Sequence, residues 1–194
     1  MPEANATLSL EFHPLTPERW ADFEELFGLH GAYGGCWCMW WRVTRRDFEQ
    51  NQGDGNRLAL KAIVDSGQVP GILAYAEGKA VGWCSVAPRD QFGSLERSAV
   101  LKRLDDQQVW SIVCFYVAKG WRGKQVAEAL IRASVRYARE KGARLVEAYP
   151  TLPRQGPLPP VSSFMGLPSM FERAGFVKCA QPSPRRLVMR CTLE

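Results

Sequence analysis

The stretch from Trp110 to Lys141 constrains the fold more than any other part of the chain. Residues Trp110 to Val117 are almost all apolar, aromatic or β-branched, which suits a strand covered on both faces. A short basic turn follows, with Lys119, Arg122 and Lys124 around Gly120 and Gly123. Then Ala127, Leu130, Ile131, Ser134 and Ala138 recur at helical spacing, with Gln125, Glu128, Arg132, Arg136 and Arg139 on the opposite stripe. The spacing predicts a helix over Lys124 to Lys141, stopped by Gly142. The first amides of such a helix have no acceptor within it and carry the positive end of its dipole, so they suit an anion. Arg122 and Lys124 add formal charge there, and Gly123 lets a ligand approach the backbone. A solvated basic turn has the same local pattern, so the turn alone does not choose between the two.

The remaining sequence alternates strand and helix patterns. Leu8 to His13 alternates as a strand does. Thr16-Pro17-Glu18 opens a helix with Trp20, Phe23, Leu26 and Phe27 on one face. A second helix is predicted over Gly55 to Ser66. Gly71 to Ala76 and Ala80 to Val86 form a hairpin about Glu77-Gly78-Lys79. Pro88 to Asp106 is polar and in part helical. Strands are predicted over Arg144 to Tyr149, Phe176 to Ala180 and Arg186 to Thr192, and a short helix over Ser163 to Ala174. Thr151 to Val161 is rich in Pro and Gly and reads as loop. The pattern describes one α/β domain over residues 1–194, with a mixed sheet and helices on both faces.

Composition removes several classes of function. No run approaches the ~20 apolar residues of a membrane-spanning helix. Met1 to Thr7 lacks the basic and apolar regions of a secretory signal, so the expected compartment is the reducing cytosol. The six cysteines are scattered, and a chain of this size needs no disulfide framework. Cys36-Trp37-Cys38 is a single close pair where structural zinc takes four ligands, and His13 and His30 are isolated, so no metal is expected. A net charge of +5 suits an anionic partner without naming one.

The basic turn resembles the acetyl-coenzyme A signature of the GNAT superfamily of N-acetyltransferases, Arg/Gln-x-x-Gly-x-Gly/Ala, here Arg122-Gly123-Lys124-Gln125-Val126-Ala127. Met170 to Phe176 is similar to that family's later helix, which ends in a Gly-Phe pair. Gly35 to Arg42 and Glu147 to Pro150 resemble a less characterised branch. The resemblance covers nearly the whole chain. It implies a twisted, mostly antiparallel sheet of about seven strands and acetyl transfer from acetyl-CoA to a primary amine of a small molecule or protein. It also implies site residues. Amides of Gly123, Lys124, Gln125, Val126 and Ala127, with Arg122, would hold the pyrophosphate. Main-chain groups of Phe115 and Val117 would pair with the pantetheine arm. A strand amide would face the thioester carbonyl.

Two positions depart from the pattern. Gln125 stands where the family has glycine; a helical φ there would let its side chain lean outward. Phe171 stands where many members have a tyrosine that protonates the leaving thiolate, and Tyr149 is the substitute candidate beside an edge-packing role. Glu147 is the candidate general base, with Asp105 and Asp106 behind it; an exposed ladder position is its alternative. Cys114 reads as a small inert hydrophobe in a buried strand rather than a nucleophile. Tyr33, Trp37, Trp40 and Trp41 either border the acceptor cleft, where they could hold a cationic amine by cation–π attraction, or form a satellite core. Arg42, Arg45 and Arg46 either hold an acceptor carboxylate or are solvated.

Two rival functions remain in the sequence: a non-enzymatic acyl-CoA-binding module on the same fold, and single-stranded nucleic-acid binding by interleaved aromatics and arginines. Residues 119–144 hold eight Lys/Arg against two Asp/Glu. Charge focused on one turn and its helix suits a compact polyphosphate better than a nucleic-acid track. The expected partners are therefore an amine acceptor and acetyl-CoA, with no nucleic acid or membrane, for a monomer or homodimer.

Overall fold

Period-two burial organises the sheet. Ile72, Ala74 and Ala76 enter one apolar cluster while Leu73 and Tyr75 of the same strand enter another. The computed structural model describes residues 9–153 and 164–193. In it β1 (Glu11–Pro14), β2 (Gly71–Ala76), β3 (Lys79–Pro88), β4 (Trp110–Val117), β5 (Leu145–Ala148), β6 (Val177–Ser183) and β7 (Arg186–Thr192) form one sheet. The strand order is β1-β2-β3-β4-β5-β7-β6. Only β4 and β5 run parallel; every other pair is antiparallel. Leu8, where the first strand was expected to begin, lies outside the described residues.

Helices cover both faces. On one, α1 (Trp20–Phe27) and α3 (Asp54–Asp65) bury Trp20, Phe23, Leu26, Phe27, Leu60 and Val64 against Leu73 and Trp83. The stripe predicted for α1 is the buried one. Between these helices lies α2 (Arg45–Gln50), which the apolar periodicity did not reveal. Its signal was polar: the Thr44 hydroxyl oxygen accepts from the Asp47 N–H at 3.1 Å and donates to the Asp47 carboxylate at 2.6 Å, a reciprocal cap. The polar stretch after β3 holds a 3-10 turn and α4 (Gly93–Glu96).

The other face carries α5 (Val126–Glu140), followed later by α6 (Pro168–Glu172). Leu130 and Ile131 are fully buried there, each contributing roughly 1.5–3 kcal/mol of apolar burial. A Cβ on Gly82 of β3 would stand 2.8 Å from Val126 and 3.0 Å from Leu130, so glycine sets how closely α5 approaches the sheet. Helix α6 is shorter than the expected span to Ala174, and Ser163 lies outside the described residues. No helix among the described residues is long and apolar enough to cross a membrane.

The strands β4 and β5 stay paired only from Trp110↔Val146 to Ile112↔Ala148. Beyond that the chain parts from β4 but stays beside β7, where the Leu187 N–H donates to Pro150 O and Thr151 bridges Arg186. The gap beside the second half of β4 is bridged by Phe164 and Gly166, whose carbonyls accept from the Phe115 and Thr151 amides.

Candidate functional site

Two cavities meet at this gap. The inner groove has a volume of about 490 Å³ and is lined by Val117, Arg122, Gly123, Gln125, Val126 and Ala127 on the α5 side. Gly166, Met170 and Arg173 line its opposite side. Gly123 takes φ +76° and Gln125 takes φ +60°, ψ +13°. The sequence reading gave Gln125 a helical φ; the residue is instead the left-handed cap of α5. Glycine takes that conformation freely, and an L side chain holds it at a strain of about 1 kcal/mol. That cap delays the helix by two residues from its expected start at Lys124. The first α5 amides stay free of intrahelical acceptors, and a Cβ on Gly123 would meet only open space. The groove therefore fits an anionic ligand at an open, positively polarised helix end.

The charge at this turn is more local than the sequence suggested. Lys119, Arg122 and Lys124 belong to it, and Lys124 Nζ lies 4.7 Å from the Trp121 ring centre. Arg132 and Arg173 are both paired to Glu128, at 3.0 and 2.6 Å. Arg136, Arg139, Lys141 and Arg144 lie toward the far end of a helix about 22 Å long. On the strand side, Phe115 and Val117 turn their main-chain groups away from β3 into the gap. The Phe115 N–H donates to Phe164 O at 2.6 Å, and Val117 O accepts from Arg122 Nε at 3.0 Å. By strand alternation the Phe115 carbonyl and the Val117 amide face the same gap.

The outer cavity has a volume of about 610 Å³. Its walls include Tyr33, Trp40, Trp41, Phe48 and Phe164, with Cys36, Cys38 and Cys114. It shares Phe115, Tyr116, Arg122 and Phe164 with the groove. Of the expected aromatic residues, Trp40 and Trp41 line it. Trp37 does not: its φ of +43° turns the indole into the core, stacked 5.7 Å from Phe27. Arg45, exposed and paired with Glu49, sits 5.6 Å from the Trp40 ring centre without lining the cavity.

Arg42 is buried, donates to Pro70 O at 3.0 Å and lies 4.5 Å from the Phe92 ring centre. Burial lowers its pKa to about 10, and the charge of Cys38 opposes that shift. Cys38 is held down at about 7 by a hydrogen bond from Cys114, by the Trp83 indole N–H at 3.2 Å and by the Arg42 charge, against burial. Cys36 moves the other way, to about 11, through burial and then the charge of Cys38. Sequence reasoning passed over Cys38 because nothing local marks a cysteine at φ +61° beside a buried arginine. Cys114, read as inert, is the thiol that donates to it, and its own pKa rises for that reason first.

Glu147 and Tyr149 are brought together, but away from both cavities. Glu147 is 1% exposed. It accepts from Arg89 Nη1 at 2.8 Å, from Arg190 Nε at 2.7 Å and from the Tyr149 hydroxyl at 2.6 Å. The Tyr149 oxygen in turn accepts from Arg89 at 2.7 Å and contacts Ser111 Oγ at 2.8 Å. Asp105 is bound by both terminal nitrogens of Arg190, which hold its carboxyl near 2. Glu96 completes the set with Arg89 and Arg103. Glu147 accepts from two guanidiniums and a phenol, Asp105 is held by Arg190, and neither they nor Tyr149 line either cavity, so the catalytic roles assigned to Glu147, Tyr149 and Asp105 are corrected to a charge-balanced structural network. Burial, then the charge of Glu147, pushes the Tyr149 phenol upward, which also weakens it as an acid. Phe171 is fully buried against Phe115 and Phe176 and supplies no proton. Among the described residues no three metal-ligating side chains converge.

Several solved structures share the fold. The PaiA N-acetyltransferase of Thermoplasma acidophilum, in complex with coenzyme A, aligns at TM-score 0.53 and 14% identity over 96% of this chain and 100% of its own. A GNAT-family acetyltransferase of Listeria monocytogenes aligns at 0.58 and 12%, over 97% of each chain. The ribosomal-protein-alanine N-acetyltransferase of Brucella melitensis aligns at 0.55 and 19%, over 94% and 99%. No curated protein sequence matches the chain significantly. The model of the acetyltransferase (GNAT) family matches residues 34–156, from the aromatic turn through β5. With the open helix end, the splayed strands and that match over more than half its length, the chain belongs to the GNAT family of acetyltransferases, enzymes that use acetyl-CoA.

Proposed function

We infer that the chain transfers an acetyl group to the nitrogen of a primary amine by direct attack where the two cavities meet. The observation that carries this reading is the shared wall of Phe115, Tyr116, Arg122 and Phe164. It gives a donor in the groove and an acceptor in the outer cavity a common point of contact. Amides from Gly123 to Ala127, with Arg122 and Lys124, bind the pyrophosphate. The Phe115 carbonyl and the Val117 amide pair with the pantetheine arm as an added strand would. Bound acetyl-CoA supplies the activated acyl group as a thioester. Tyr116, which lines both cavities, takes the proton-donor role that Phe171 and Tyr149 do not fill. A thiol pKa near ~8.5 makes the leaving sulfur tolerable even so, which suits a modest dependence on that hydroxyl.

Calorimetry with acetyl-CoA tests the reading. Binding is expected in the micromolar range, weakened at least tenfold in Arg122→Ala; no heat at millimolar ligand would overturn it. Turnover with an amine separates the enzyme from a non-catalytic CoA-binding module.

A further inference from the structure

We propose that the acceptor is an aromatic amine, uncharged at neutral pH, that carries a carboxylate. The proposal rests on the N-acetyltransfer reading above and specifies its second substrate. Size and shape come first: about 610 Å³ walled by Trp40, Trp41, Phe48 and Tyr33 suits one or two flat rings with small substituents. Charge comes second. The lining contains Arg122 and Arg186 and, among the described residues, no Asp or Glu. The sequence of residues 154–163, which leads into Phe164, contains none either. Cys38 can turn negative, but Arg42 faces that charge. The pair leaves no net anion for a substrate ammonium.

An alkylammonium would therefore enter a cavity of its own sign without a counter-ion, a costly desolvation. It would also need a base. At pH 7 an amine with the pKa of a lysine, ~10.4, is free in only about one molecule in 2,500. The carboxylates once expected to collect that proton are locked to arginines. An aromatic amine has its lone pair delocalised into the ring and is already unprotonated. Its nitrogen attacks the acyl carbon, the C–N bond forms and the C–S bond breaks. The electron pair leaves on sulfur, and the proton lost by nitrogen ends on that sulfur as a thiol.

Arg186 selects the carboxylate. It is half-buried, and its bonds to Tyr149 O at 2.9 Å, Thr151 Oγ1 at 2.7 Å and Met165 Sδ at 3.1 Å all use Nη1. Among the described residues its Nε and Nη2 take no partner, which leaves them as donors for a planar acid. Arg122, at the junction, is committed to the phosphates.

The test is a thiol-release assay with acetyl-CoA and five acceptors: 4-aminobenzoate, 4-aminobenzamide, aniline, spermidine and a lysine peptide. Calorimetry with acetyl-CoA runs in parallel. The expected kcat/KM for 4-aminobenzoate exceeds that for each of the other four at least tenfold. In Arg186→Met the ratio of kcat/KM for 4-aminobenzoate to that for aniline falls about tenfold. The amide comparison needs no variant and stands if Arg186→Met fails to fold. Equal rates for acid and amide, faster turnover of spermidine or peptide, or acetyl-CoA binding without aromatic-amine turnover would each overturn the acceptor proposal alone. Absence of acetyl-CoA binding would overturn the reading beneath it.

Discussion

Gln125 occupies a backbone well built for glycine, and its neighbours hold it there. Releasing that strain gives a simple expectation. Gln125→Gly should raise the melting temperature by about 1 °C, since relief of about 1 kcal/mol is offset in part by about 0.5–1 kcal/mol of added chain entropy from glycine. Acetyl-CoA affinity should not fall; a lower melting temperature would mean that the Gln125 side chain makes a stabilising contact. Cys38 gives a second expectation. Its folded pKa lies near 7, below the ordinary thiol value of 9. The thiolate therefore adds stability that is complete above pH 9 and lost as pH falls through 7. The melting-temperature gap between wild type and Cys38→Ala should narrow across that window, and ultraviolet thiolate absorbance with a midpoint near 7 should vanish in the variant. A midpoint near 9 would contradict the hold of Cys114, Trp83 and Arg42 on the Cys38 thiolate. Neither feature was legible in the sequence. Positive φ at Gln125, Trp37 and Cys38 is imposed by tertiary contacts, not by residue type.

Among the elements, the end of β5 carries the largest local consequence. Glu147 and Tyr149 stand where a strand end meets a splayed neighbour, and that position suggested catalysis. Their side chains point instead to Arg89 and Arg190, one following β3 and the other in β7. Glu147→Gln should therefore cost about 3–5 kcal/mol, as expected for stripping a buried charge partner. The folded fraction should keep its kcat and pH profile, and a selective loss of kcat without loss of stability would return Glu147 to catalysis. The strands and the stripes of α1 and α5 were readable because their periodicity is set by burial on defined faces. Helix α2 was overlooked because its evidence is a polar cap. The Arg89 network was invisible because its bonded partners lie up to 85 residues apart. No local pattern records such a pairing. The phosphate turn was readable because one short segment contains all of it.

On the scale of the whole molecule, the sheet divides its two ligands between two openings. Exposed Tyr33 and partly exposed Trp40 flank the outer cavity, whereas Gly123 and Arg173 flank the groove. Among the described residues the cavities share Phe115, Tyr116, Arg122 and Phe164, around the splay of β4 and β5. That geometry has a kinetic meaning. Neither ligand must leave before the other enters, so donor and acceptor can occupy the protein at once. Initial velocities with both substrates varied should give intersecting double-reciprocal lines. Parallel lines would mean that the acyl group waits on the protein, and Cys38 would be the first residue to examine. A strand that leaves its partner after three residues thereby governs the order in which molecules come and go.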